Sequence, residues 1–205
     1  MILFESFLNM YRRVFLMKLI LIRHAETIEN KEGIVLGNLG GRLSQKGKEQ
    51  AKRVALRLKE EKIGAIYPSD ITRAVDTGRE IAKYHAVPFL LVEELREQDA
   101  GVFTGMHHKD IEWKNGKKEF ESHSSMKQRS KKILEKAYAN YPNGTVVFVA
   151  HDGILRLIIA LLSKKPPHER GNIEILRYTS ITIFEINPDQ NKQMIFNSAS
   201  HLSDS

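Results

Sequence analysis

The chain has 205 residues, of which 41% are hydrophobic and 28% charged. It contains no cysteine, which excludes disulfides, thiolate metal sites and a catalytic thiol, and fits a cytoplasmic location. A formal charge of +7 favours anionic partners, yet the basic residues are spread, and no aromatic residues alternate with them as in a nucleic-acid groove.

Residues 1–16 form the one unusual segment. They are apolar-rich with Arg12 and Arg13 in the middle, an order unlike a signal peptide. The run Val14 to Ile22 is too short for a membrane span and contains Lys18. Residues 1–16 read either as an extension packed on the domain or as a mis-called start ahead of Met17, with a single domain over 17–205.

A strand is predicted over Lys18–Ile22. Ser44 then caps a helix that places Ala51, Val54, Ala55 and Leu58 on one face. A strand over Ala65–Tyr67 leads into a helix capped by Ser69 or Asp70, with Ile71, Ala74, Val75 and Ala82 facing inward. Further strands are predicted over Phe89–Val92, Val146–Ala150, Ser180–Ile186 and Met194–Phe196. A third helix starts near Ser124 or Ser125 and carries Met126, Ile133, Leu134, Ala137 and Tyr138. A fourth, Ile154 to Leu162, is apolar nearly all round and stops before Pro166-Pro167. Strands alternating with helices imply an α/β fold of three layers, a mostly parallel β-sheet with helices on both faces. Ligands in such folds bind beyond the carboxyl ends of the strands.

Three strand ends deliver polar residues suited to phosphoryl chemistry. Leu19–Ile22 runs into Arg23-His24-Ala25-Glu26-Thr27, Ala65–Tyr67 into Ser69-Asp70-Ile71-Thr72-Arg73, and Val146–Ala150 into His151-Asp152-Gly153. In a parallel sheet these ends share one edge, so two arginines and two histidines converge. A phosphoryl group in transfer spreads negative charge over three oxygens, which the planar, permanently charged fork of arginine matches. A neutral imidazole is a competent nucleophile near neutral pH. His85, His107, His123, His168 and His201 read as surface or satisfied core residues. His107 and His108 are neighbours that project different ways, a poor metal pair.

These motifs resemble the signature of the histidine phosphatase superfamily, the phosphoglycerate mutase-like proteins. The resemblance runs from Leu21-Ile22-Arg23-His24-Ala25-Glu26-Thr27 through Ser69-Asp70-Ile71-Thr72-Arg73-Ala74 and Leu95-Arg96-Glu97 with Gly101. It continues through Ala150-His151-Asp152-Gly153 with Arg156 to Ser180-Ile181-Thr182. It implies that His24 is phosphorylated, that Arg23, Arg73 and His151 hold the phosphoryl oxygens, and that Glu97 protonates the leaving group. Glu93 and Glu94 stand close enough in sequence to compete for that last role. Asn30 matches a phosphate-contacting position and reads equally as an ordinary loop residue.

Asp152 stands where many members have glycine. Arg42 replaces a commoner proline, and its loop is expected at the pocket mouth, where Arg42 would bind a second anionic group. A Trp-Glu-Gly-like run after Gly101 is replaced by Val102-Phe103-Thr104-Gly105. The expected activity is hydrolysis of a small phosphorylated metabolite without metal or cofactor, and neither nucleic acid nor membrane is expected as a partner. The alternatives are a phosphoglycerate mutase with the same first step and a non-catalytic phospho-ligand module. The compact segment between Glu97 and His151 favours the phosphatase. Neither the substrate nor the oligomeric state is legible.

Overall fold

Side chains alternate across a strand, and in β1 (Met17–Arg23) both sets are apolar. Met17, Leu19 and Leu21 enter one core while Ile20 and Ile22 enter another, so the strand is covered on both faces. The computed structural model describes residues 16–112 and 120–203. After β1 come α1 (Ile28–Lys31), α2 (Gln45–Leu58), β2 (Ala65–Pro68) and α3 (Thr72–Ala82). Then follow α4 (His123–Asn140), β3 (Thr145–Ala150), α5 (Asp152–Leu162), β4 (Ile181–Ile186) and β5 (Asn191–Ser198).

The sheet order is β2-β3-β1-β4-β5. β2, β3 and β1 pair in parallel, while β4 runs against both β1 and β5. On one face, Met126, Ile133 and Ala137 of α4 and the apolar side of α5 pack over Leu19, Tyr67 and Phe148. On the other, Val54, Ala55 and Leu58 of α2 and Ala74 and Ile81 of α3 pack over Ile20, Ile66 and Val147. Each fully buried Val, Leu, Ile, Phe or Met side chain among them contributes about 1.5–3 kcal/mol. The α/β architecture of a mostly parallel sheet between two helical layers is thus observed. Among the described residues no helix is long and apolar enough to cross a membrane. The reading of residues 1–16 lies outside the described residues, apart from Leu16.

Local expectations differ at three places. Phe89–Val92 is not a full strand; it touches β2 through isolated bridges at Ile66–Phe89 and Ser69–Val92, then turns into a 3-10 turn at Glu93–Leu95. It follows a sheet edge, with Leu90 and Leu91 exposed. Neither Ser69 nor Asp70 caps α3, whose N-cap is Ile71 without a side-chain bond. Ser69 Oγ instead meets His151, and Asp70 pairs with Arg96. Helix α4 starts one or two residues earlier than expected, because Ser122 Oγ accepts the Ser125 N–H at 3.1 Å.

Candidate active site

The sheet register brings the chemistry together. Arg23 lies opposite Ala150 in the β1–β3 ladder, so the next residues, His24 and His151, leave the sheet side by side. Their ring centroids are 5.1 Å apart. The His24 N–H continues the ladder to the Ala150 carbonyl at 2.8 Å. Beyond it the loop is anchored from two helices. The Ala25 N–H donates to Thr77 Oγ1 of α3 at 3.0 Å, and Glu26 packs on the first turn of α2. There a Cβ on Gly47 would stand 1.9 Å from the Glu26 carbonyl oxygen, so only glycine lets the loop lie this close.

His24 is buried, and its Nδ1 lies 2.7 Å from the Ala25 carbonyl. A carbonyl only accepts, so Nδ1 carries the proton and Nε2 keeps its lone pair. Arg73 Nε donates to that Nε2 at 3.2 Å. Burial, with Arg73 and Arg23 nearby, holds the His24 pKa well below the ordinary histidine value. His151 is held low by burial and by Arg73, His24 and Arg23. Both rings are therefore neutral at neutral pH. The His151 Nε2 meets Ser69 Oγ at 3.0 Å, and its Nδ1 is buried without a partner.

Arg73 is buried in the first turn of α3, where helix start and guanidinium both favour an anion. Its terminal nitrogens donate to the carbonyls of Gly37, Leu39 and Gly40. Burial lowers its pKa to about 10, which leaves it charged at neutral pH. The Arg23 guanidinium carbon lies 4.1 Å from the centroid of the Tyr178 ring, and the side chain donates to the Leu176 carbonyl. Its Nε is buried and unpartnered, as is Asn30 Oδ1.

Glu97 arrives on a loop rather than a strand end. Its carboxylate accepts the N–H groups of Gly153 at 3.0 Å and Ile154 at 3.1 Å, at the start of α5, and that of Gln98 at 2.8 Å. A Cβ on Gly153 would be 2.5 Å from Glu97 Oε1, so glycine makes this approach possible. Arg129 of α4 gathers the carbonyls of Glu94, Arg96 and Glu97, and Arg96 pairs with Asp70, fixing the loop on both sides.

A cavity of about 520 Å³ is lined by Arg23, His24, Asn30, Arg73 and Glu97, joined by Gln98, His108, Phe120, Asp152, Gly153 and Arg170. His151 lies behind it, fully buried against His24. Glu94 is bound to Lys132 at 2.6 Å and lines an adjoining depression that shares Glu97 and Phe120 with the His24 cavity; of the candidate glutamates only Glu97 lines that cavity itself.

Arg42 does not join them. Its exposed side chain lies 3.8 Å from Glu29 and lines another depression, with Lys48 and Arg79. The loop bends back because Glu29 also accepts the Arg42 N–H, which carries the side chain away from the His24 cavity. Sequence reasoning missed Thr77, Gln98, Arg129, Arg170 and Tyr178, whose motif neighbours give no signal of the contacts they make. Among the described residues no group of three or more His, Cys, Asp or Glu is placed to hold a metal.

The family model of the histidine phosphatase superfamily (branch 1) matches residues 19–198. Phosphoserine phosphatase 1 of Hydrogenobacter thermophilus is 34% identical over 161 residues, 72% of this chain and 76% of that protein. A metal-independent phosphoserine phosphatase of Arabidopsis thaliana is 32% identical over 163 residues, 69% of this chain and 66% of that protein. The solved structure of Bacillus stearothermophilus YhfR shares the fold with a TM-score of 0.85, covering 91% of this chain and 100% of that one at 24% identity.

Proposed function

The chain belongs to the histidine phosphatase superfamily (branch 1), and we propose that it hydrolyses small phosphomonoesters through a phosphohistidine at His24. The observation that carries this reading is the state of His24: a neutral ring, its Nδ1–H held by the Ala25 carbonyl, its Nε2 lone pair beside Arg73. The relatives named as phosphoserine phosphatases support a hydrolytic outcome.

In the first step His24 Nε2 attacks phosphorus, the N–P bond forms and the bond to the ester oxygen breaks. Glu97 gives that oxygen its proton, and the alcohol departs. Arg23 and Arg73 stabilise the charge on the equatorial oxygens, with the buried Arg23 Nε and His151 Nδ1 as further partners. In the second step water attacks phosphorus, Glu97 takes its proton, and the N–P bond breaks to release phosphate. Asn30, on the cavity wall, contributes to holding the phosphoryl group. Cationic side chains supply the electrostatic stabilisation, so no metal or cofactor is required.

Brief incubation with labelled substrate in chelator, quenched in alkali, is expected to trap an acid-labile, base-stable phosphoenzyme. The His24→Ala protein should carry no label and turn over nothing. Label retained in that variant would move the nucleophile elsewhere, and loss of wild-type labelling in chelator, restored by a divalent metal, would overturn metal independence.

A further inference from the structure

The proposed mechanism uses Arg23, His24, Arg73 and Glu97 and, among the described residues, leaves one arginine of the same cavity without a task. Arg170 enters from the 3-10 turn at Pro167–Asn172 and lines the wall beside Glu97. A point at the Cβ position of Gly153 is 2.5 Å from Glu97 Oε1 and 3.0 Å from Arg170 Nη1, so the two head groups flank one spot. If Glu97 protonates the ester oxygen, Arg170 faces the alcohol part of the substrate.

The guanidinium is held in place by neutral groups alone. Nε donates to His123 Nε2 at 3.1 Å, Nη1 to the Gly153 carbonyl at 3.1 Å, and Nη2 to Gln98 Oε1 at 2.6 Å. Gln98 is itself fixed, its Nε2 donating to the Glu121 carbonyl at 2.7 Å. Each terminal nitrogen of Arg170 keeps one further N–H, and no carboxylate among the described residues pairs with it within 4 Å. Burial penalises its charge and lowers its pKa, while the carboxylates of Glu97, Asp152 and Glu121 favour that charge from beyond ion-pair distance. A half-buried cation braced on three sides and lacking a direct ion pair is preorganised for an anion.

We propose that Arg170 binds a carboxylate on the alcohol portion of the substrate, so that the enzyme selects phosphate esters of short hydroxy acids. This rests on the phosphatase reading above. The role expected of Arg42 thus passes to a residue 128 positions later in the chain.

The test compares O-phosphoserine with phosphoethanolamine, which differ by the carboxylate alone, with p-nitrophenyl phosphate as a general probe. Wild type should favour phosphoserine in kcat/KM by about 10–100-fold, the worth of a charge-assisted hydrogen-bonded pair. Arg170→Gln should collapse that ratio through KM for phosphoserine, and Arg170→Lys should keep most of it. Wild type that cleaves p-nitrophenyl phosphate but does not discriminate within the pair overturns the inference alone. So does an Arg170→Gln protein in which both substrates fall equally, since Arg170 would then only brace Gly153 and the Glu97 carboxylate. Wild type inert on all three overturns the phosphatase reading, and this inference with it.

Discussion

The cavity has two ends built by different means. At the phosphoryl end, Arg23 closes β1, His24 and His151 each follow one residue beyond a central parallel strand, and backbone ladder bonds position them. At the leaving-group end, Glu97 and Arg170 come from loops, and side chains such as Arg129 and Gln98 position them. Ladder geometry places an atom through the fold itself, whereas loop geometry depends on a few polar contacts. The phosphoryl end is thus suited to chemistry common to every phosphomonoester, and the leaving-group end to discrimination among alcohols.

The largest effect that sharpens this contrast is expected from Glu97→Gln. A positioned acid supplies about 10²–10⁴-fold in rate. The gain is large for an alkoxide, a strong base, and small for p-nitrophenolate, which leaves readily unaided. In burst kinetics that isolate phosphorylation, Glu97→Gln should cripple an alkyl phosphate and largely spare p-nitrophenyl phosphate. Glu94→Gln should do neither, because Glu94 is paired with Lys132 away from the cavity. The reverse pattern would hand the acid role to Glu94.

A smaller but broader loss is expected at the other end. Arg73→Gln should slow all substrates alike, by about 10²–10³-fold, as for removal of one preorganised donor. It should also shift the pH profile. Arg73 disfavours the protonated form of His24, so wild type should keep a neutral nucleophile below the ordinary histidine value. Removing the cation raises the His24 pKa, and the acidic limb of kcat/KM should move to higher pH. The ionisation of the substrate is common to both proteins and cancels in the comparison. An unmoved limb would mean that burial and Arg23 hold the ring neutral without Arg73.

The two ends also differed in how far they could be read from sequence. Apolar runs such as Val146–Ala150 that pass straight into His151 mark a buried strand and its end, so β1, β3 and the residues after them were legible. The family motif carried Glu97, although nothing local separated it from Glu93 and Glu94; the contacts of Glu94 with Lys132 and of Glu97 with α5 did so in three dimensions. Arg170 and Gln98 are 72 residues apart, and no periodicity or cap links them. Arg42 lies outside the cavity for a related reason: its loop was expected at the pocket mouth, but the direction of its side chain depends on Glu29. Ser69 and Asp70 have the chemistry of helix caps, yet a buried histidine and Arg96 competed for them successfully.

The smallest expected effect concerns what stabilises the phosphoryl end from behind. Thr179, at a positive φ of 55°, donates its N–H to the Arg23 carbonyl and its hydroxyl proton to the Tyr178 carbonyl. Its oxygen is then an acceptor for His201 Nε2 at 3.2 Å, which requires that nitrogen to carry the proton of a neutral ring. Burial, with Arg57 and Arg53 nearby, lowers the His201 pKa to about 4. The unfolded chain takes up a proton near pH 6.5 that the native state refuses until about pH 4, so stability falls as pH drops through that window. Partial exposure weakens the effect, and its share between pH 7 and pH 5 is on the order of 1 kcal/mol. His24 and His151 add to the same slope in the same direction. In urea titrations at the two pH values, His201→Gln should therefore lose less stability on acidification than wild type, by about that amount, since an amide can still donate to Thr179 without taking up a proton. An identical loss in both proteins would show that His201 titrates alike in the folded and unfolded chain, and would leave the histidines at the phosphoryl end as the source of the acid sensitivity.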